Sequence, residues 1–217
     1  MFAAVLGCAG LAGAQELHTY VGVAFGVSSW DVQNVDGGTP NLTFRNTSDT
    51  TNTIVTTGEA GRFLTAHFAF GAEIGQTSRG ELTQTHGYLN PYLRVSRVRD
   101  LTFFGLARYQ IGTGWIRGAV VGGAGPVQQS SVERTAEATN FPSLTFGPFG
   151  PEREVTEWAW GGMAGAELII RVARHVSVVP QLRVVGIARG DVTNFTFASY
   201  GLNTSVYRAG VGVRAAF

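Results

Sequence analysis

From Tyr207 to Phe217 the chain alternates without a slip. Tyr207, Ala209, Val211, Val213, Ala215 and Phe217 take the odd positions, and Arg208, Gly210, Gly212, Arg214 and Ala216 the even ones. A helix would scatter the two sets around its surface, whereas an extended strand sends them to opposite faces. One face is then apolar with an aromatic at each end, and the other is small or charged. In a soluble sandwich the apolar face would meet a core; in a membrane barrel it meets lipid.

The pattern recurs along most of the chain, and that recurrence favours the barrel. Residues 17–30 set Val21, Val23, Phe25 and Val27 against His18, Gly22, Gly26 and Ser28. Residues 62–75 set Leu64, Phe68, Phe70 and Ile74 against His67 and Glu73. Residues 85–97 oppose Leu89, Leu93 and Val95 to Tyr88, Asn90, Tyr92, Arg94 and Ser96. Residues 101–115 place Leu101, Phe103, Ala107, Tyr109, Ile111 and Trp115 outward, with Arg108 and Gln110 inward. Residues 156–172 oppose Trp158, Trp160, Ala164, Ala166, Leu168 and Ile170 to Glu157, Glu167 and Arg171. Residues 176–190 oppose Val176, Val178, Leu182, Val184 and Ala188 to Ser177, Gln181, Arg183 and Arg189. A bacterial barrel needs an even strand count, which places an eighth strand at residues 42–57, where Thr and Asn blur the alternation.

Composition agrees. Charged residues are 14% of the chain, against a usual share of about 25%, and no stretch after residue 16 approaches the roughly 18 apolar residues of a membrane helix. The expectation is an all-β fold: an eight-stranded antiparallel up-and-down transmembrane β-barrel with short periplasmic turns and longer extracellular loops. Arg97–Asp100 and Arg174–His175 read as tight turns, and residues 31–41, 76–84, 117–154 and 191–203 as longer connections. Chain direction then puts Trp115 and Trp158 near the outer rim and Phe103 and Phe217 near the periplasmic rim. Pro91 and Pro180 fall inside strands, where the missing donor predicts a bulge or a strand end.

Residues 1–14 read as a signal peptide truncated at its start: a short apolar run ends in Ala12-Gly13-Ala14 before Gln15-Glu16, without a basic leader. Val5-Leu6-Gly7-Cys8 loosely resembles a lipoprotein cleavage box. Residues 15–217 form the barrel domain, and because Cys8 is the single cysteine, that domain has no disulfide.

Gly87-Tyr88-Leu89-Asn90-Pro91-Tyr92-Leu93-Arg94, followed by Leu101-Thr102-Phe103-Phe104-Gly105, resembles a strand pair common among small bacterial outer-membrane barrels of the OmpX, OmpW and opacity-protein types. The terminal Phe217, with apolar residues at alternate positions before it, resembles the signal read by the barrel-assembly machinery; Ala215 stands where an aromatic is frequent. The resemblance spans residues 17–217. It implies an integral outer-membrane monomer that contacts membrane lipid and lipopolysaccharide and meets the assembly machinery during biogenesis.

The inward-facing charges are Glu73, Arg94, Arg108, Glu157, Glu167, Arg171, Arg183, Arg189, Arg208 and Arg214, with His18, His67 and His86. An eight-stranded interior is just wide enough for side chains to fill, so a polar plug is expected, with Glu167 close to Gln181 and Arg183. The alternative is a narrow channel for small anionic or amphiphilic solutes, lined by the same arginines. A second candidate is the contact surface offered by Phe141, Leu144, Phe146 and Phe149 in the longest loop. A lipid hydrolase would draw on His67, His86, Glu73 and Ser96, but their roles cannot be assigned. No catalytic residue, metal site or cofactor is expected, because the four histidines are scattered. A net charge of +1 leaves no concentrated basic patch for nucleic acid. The triplets at Asn41, Asn46, Asn194 and Asn203 would matter only in a secreted eukaryotic chain, where a lipocalin-like soluble barrel is the rival.

Overall fold

The alternating segments form an antiparallel wall in which neighbouring strands hydrogen-bond in chain order and the last strand pairs with the first. The computed structural model describes residues 19–32, 47–50, 52–86, 92–140, 145–188 and 204–217. Its strands are β1 (Thr19–Val32), β2 (Thr47–Thr50), β3 (Thr53–Phe63), β4 (Phe68–Thr77), β5 (Gly80–His86), β6 (Tyr92–Ile111), β7 (Ile116–Asn140), β8 (Thr145–Phe146), β9 (Arg153–Arg171), β10 (Val176–Ala188) and β11 (Thr204–Ala216). β2 with β3, and β4 with β5, make single interrupted staves, and β8 is a short addition to β7. Eight antiparallel staves follow, in the order β1, β2–β3, β4–β5, β6, β7, β9, β10 and β11. The wall closes where β11 pairs with β1, from Tyr20↔Ala216 to Val32↔Thr204. At that seam the Thr19 and Phe217 amides donate to each other's carbonyls at 2.9 Å, so the barrel itself has no free edge. No helix among the described residues is long and apolar enough to cross a membrane.

The faces divide by period two. Val23, Phe25, Ile54, Phe70, Ile74, Tyr109, Val120, Trp160, Leu182, Val211 and Val213 are exposed around the outside. Tyr20, Ala24, Phe104, Leu106, Arg108, Val121, Glu167 and Arg183 are buried within. On β6 the outward apolar run goes from Leu101 to Ile111, matching the ~9–11 residues a tilted strand needs to cross a bilayer. β6 and β7 continue as a pair beyond that run, from Asp100↔Gln129 up to Tyr92↔Glu137. β5 and β2 flank this ribbon on one side and β8 on the other. Three ion pairs lie along it: Glu81 with Arg97 at 4.0 Å, Arg94 with Glu133, and Arg134 with Glu152.

Several sequence expectations need correction. Arg97–Asp100 is no turn but the middle of β6, paired with β7. Arg97 and Arg99 are exposed and Asp100 is buried, because here the strand leaves the apolar belt and turns polar. The runs at 85–97 and 101–115 therefore belong largely to one strand. Conversely, residues 117–154 are no loop, since 116–140 form β7 and only 141–152 connect it to β9. Its inward residues Ala119, Val121 and Val127 are as apolar as its outward ones, which erases the contrast that period-two reading needs. The count of eight thus came from one strand split and one missed. Residues 76–84 are mostly strand, broken only around Ser78 and Arg79; the weak second stave, expected at 42–57, is seen at 47–50 and continues to 63 in β3, while 42–46 lie outside the described residues.

The tight connections at the terminal end are 64–67, 112–115 and 172–175. In the second, Gly112 and Gly114 have φ of 93° and 89°, a left-handed backbone that only glycine adopts without strain. This turn puts Trp115 at the terminal rim, where its carbonyl accepts from the Arg171 amide at 2.8 Å. Phe103 stacks on Trp158 with ring centroids 6.4 Å apart, so these two share a level and do not mark opposite rims. Pro180 is neither bulge nor strand end: β10 keeps one register with β9 on both sides of it. Pro91 lies outside the described residues.

Candidate functional site

Inward positions in the terminal half of the barrel bring six charges together. β3 supplies Glu59, β4 Glu73, β6 Arg108, β9 Glu167, β10 Arg183 and β11 Arg214. Glu167 is the hub. Its Oε2 accepts from Arg108 Nε and Arg214 Nη2, each at 2.9 Å, and its Oε1 accepts from Arg108 Nη2 at 2.9 Å and Arg183 Nη2 at 3.0 Å. Glu59 accepts from Arg108 Nη2 and Arg214 Nε, each at 2.7 Å, and Glu73 pairs with Arg183. The Tyr20 ring lies under two guanidinium groups, with Cζ of Arg108 at 4.9 Å and of Arg214 at 5.2 Å from its centroid. An isolated buried ion is heavily penalised; here three cations and three carboxylates compensate one another through charge-assisted hydrogen bonds.

Apolar side chains pack on both sides of this network. Ala119, Ile169 and Val179 form a small cluster at the terminal side. Toward the loop end, Phe104, Leu106, Val121, Val127, Met163, Val185, Ile187 and Val206 form a larger one. The expectation of a polar filling is thus amended: much of the interior is hydrocarbon. A second polar group lies at the loop side, where Asp100 Oδ1 accepts from Gln129 Nε2 at 3.0 Å and the Asp100 amide donates to Thr77 Oγ1 at 2.8 Å.

Of the candidates read from sequence, Glu73, Arg108, Glu167, Arg183 and Arg214 meet in the network. Arg208 is buried in register with Arg183 but stands outside it. Arg94 is half-buried higher up, on Glu133. Glu157 and Arg171 are exposed toward opposite ends of β9, so their expected inward placement is corrected: the right phase does not bury a residue at a strand end. Glu59 escaped the sequence reading because β3 was displaced; with the strand at 53–63, period two puts it beside Thr57. Phe146 is half-buried and Phe149 exposed. Arg189, His18, Phe141 and Leu144 lie outside the described residues, as does the side chain of His86. Phe217 is exposed at the seam.

Among the described residues the hydrolase candidates do not converge. Glu73 is engaged by Arg183, Ser96 is buried high on β6, and His67 is exposed in a terminal turn with Nδ1 3.1 Å from the Gln110 carbonyl. No group of three or more potential metal ligands occurs among the described residues.

No protein-family model matches the chain, and no curated protein does. Among solved structures it is similar to Neisserial surface protein A, with a TM-score of 0.43 and 12% identity over 92% of this chain and 97% of that one. It is also similar to Ail, the attachment invasion locus protein of Yersinia pestis, with a TM-score of 0.48 and 10% identity over 92% and 99%. The N-terminal β-barrel domain of OprF from Pseudomonas aeruginosa gives 0.41 and 14% over 92% and 97%. At these identities no residue of the interior or the rim carries over from them.

Proposed function

We propose that this chain is an integral outer-membrane β-barrel, a non-enzymatic monomer whose interior is sealed and whose work is done at the surface or in the envelope structure. The outward belt supports the location. Soluble monomers rarely expose more than a few hundred Å² of contiguous apolar surface, whereas a closed barrel, having every backbone group of its wall paired, is one of two structures that lipid admits. The terminal end, with its tight turns, is then periplasmic, and the β6–β7 ribbon stands above the outer leaflet, among lipopolysaccharide. Phe217 is exposed where the assembly machinery would read it.

The observation that carries the sealed interior is the apolar layer around Phe104, stacked on the ion network. Ions crossing the lumen would have to lose their hydration against hydrocarbon. Planar bilayers containing the refolded chain are expected to stay silent, and Arg183→Ala to leave them so. Reproducible anion-selective steps would overturn this reading in favour of a narrow channel for small anionic or amphiphilic solutes.

Orientation has its own test. With Cys8 replaced by Ser, Thr135→Cys on the ribbon is expected to react with a membrane-impermeant maleimide on intact cells. Ala173→Cys in the 172–175 turn is expected to react only after the outer membrane is opened. The reverse pattern would invert the topology, and labelling of both sites in intact cells would exclude a spanning barrel.

A further inference from the structure

Directly above the apolar belt, three arginines gather on the outer face of the wall. Arg97 and Arg99 are exposed on β6 and continue the outward phase of Leu101 and Phe103. Arg79 is exposed at the break between β4 and β5. Its neighbour Gly80 pairs with Val98, which sets Arg79 beside Arg99. The nearby carboxylate is Glu81, half-exposed and 4.0 Å from Arg97. Glu154 stands in the same row as Arg97 but beyond Val132, two strands away. Among the described residues Arg79 and Arg99 make no ion pair, so three guanidinium groups face one carboxylate.

Neutral donors and an aromatic shelf complete the surface. Ser130 pairs with Arg99 across β6–β7, and Thr156 with Ser130 across β7–β9, their hydroxyls 3.3 Å apart. One step toward the membrane, Trp158 is 61% exposed and stacks on Phe103. Arg99 stands two residues past Leu101, about 7 Å along the strand and about 5 Å in height on a strand tilted by about 45°. Polar headgroups occupy about 5–8 Å outside the hydrocarbon. These guanidinium groups therefore lie at headgroup depth, below the tip of the ribbon where a soluble partner would first arrive.

We propose that this patch binds the phosphorylated sugar headgroup of a lipopolysaccharide, with a phosphate held by Arg79, Arg97 and Arg99. A guanidinium fork matches phosphate oxygens bidentately, and the anion relieves repulsion among three like charges. Ser130 and Thr156 take sugar hydroxyls, and the apolar face of the sugar ring rests on Trp158. The inference rests on the membrane-spanning reading with the ribbon outward, and adds to it a particular lipid at a particular place.

Native mass spectrometry of the refolded chain, in maltoside micelles with added lipid A, tests it. The bisphosphorylated form should bind about tenfold or more tightly than its dephosphorylated counterpart, as charge-assisted hydrogen bonds to phosphate require. Arg97→Ser combined with Arg99→Ser should remove that preference. Arg174→Ser, exposed in the turn at the opposite end, should keep it. A preference that survives the double change would overturn the proposal. So would equal displacement by a soluble sulfated oligosaccharide, which would assign the patch to a soluble polyanion. Exposed positions tolerate such changes; should the double variant not fold, equal affinity of the unaltered chain for the two lipid forms would overturn the proposal by itself. Cysteine labelling separates the two levels: a chain that fails it loses the spanning reading, whereas one that passes without a phosphate preference loses this inference alone.

Discussion

Replacing Glu167 with Leu is expected to cost the folded barrel about 3–5 kcal/mol, read as a lowered urea midpoint with an unchanged slope in detergent or lipid. The size follows from what the side chain holds. Its two oxygens take four hydrogen bonds from Arg108, Arg183 and Arg214. Without it, three guanidinium groups remain buried with only Glu59 and Glu73 to balance them. Removing the cation as well should relieve the imbalance, so Arg108→Met combined with Glu167→Leu should destabilise by less than the sum of the two single changes. Glu157→Leu, exposed on the same strand and in the same phase, is the control and should stay within about 0.5 kcal/mol. If Glu167→Leu falls within about 1 kcal/mol of the parent, the network is not what holds the interior together.

Gly26→Val is expected to prevent barrel closure altogether. Gly26 faces Gly210 across the seam, and the strands approach so closely that a Cβ at Gly26 would run into the Ala209 carbonyl oxygen and lie 2.7 Å from the Gly210 Cα. Both obstacles are backbone, so no rotamer change relieves them. A glycine at a strand interior often marks such an approach. Folded barrels resist unfolding by detergent until boiled, so the unaltered chain should run at two positions on a gel, with and without heating. The variant should give a single, unfolded position. Val27→Ala, on the lipid side of the next residue, should keep both positions. A heat-sensitive shift in Gly26→Val would mean that the seam tolerates displacement.

These two sites also show how far sequence reaches. The outer face was legible because lipid imposes one chemistry on every second residue. The runs containing Phe25, Leu182 and Val211 needed nothing else, and Arg108, Glu167 and Arg183 followed as their opposites. The phase even persists across Arg97 and Arg99, since Leu93 and Val95 share the parity of Leu101 and Phe103, although Arg97–Asp100 reads as a turn. β7 was illegible for the opposite reason. Val121 and Val127 pack inward against Phe104 and Met163, so both faces read alike and period two carries no signal. Glu59 was lost with its strand boundaries, and Trp115 with a turn that Gly112 and Gly114 make possible. Which inward charges would pair was beyond reach for most of them, because it depends on strand registers around a closed ring. The Glu167–Arg183 pair, beside the Glu167–Gln181 register, was the exception, since one short hairpin determines it.

The hydrogen bonds joining Thr19 and Phe217 also bear on kinetics. Joining β1 to β11 closes a loop of nearly the whole chain, and the entropy of that closure must be overcome before the seam's contacts compensate. The wall therefore grows from local hairpins such as β9–β10 and β6–β7, and the joint between first and last strands forms late. Until it does, two long strands offer unpaired amides and carbonyls to any neighbouring chain. The period of greatest aggregation hazard is thus the interval between completing the eighth stave and sealing it to the first.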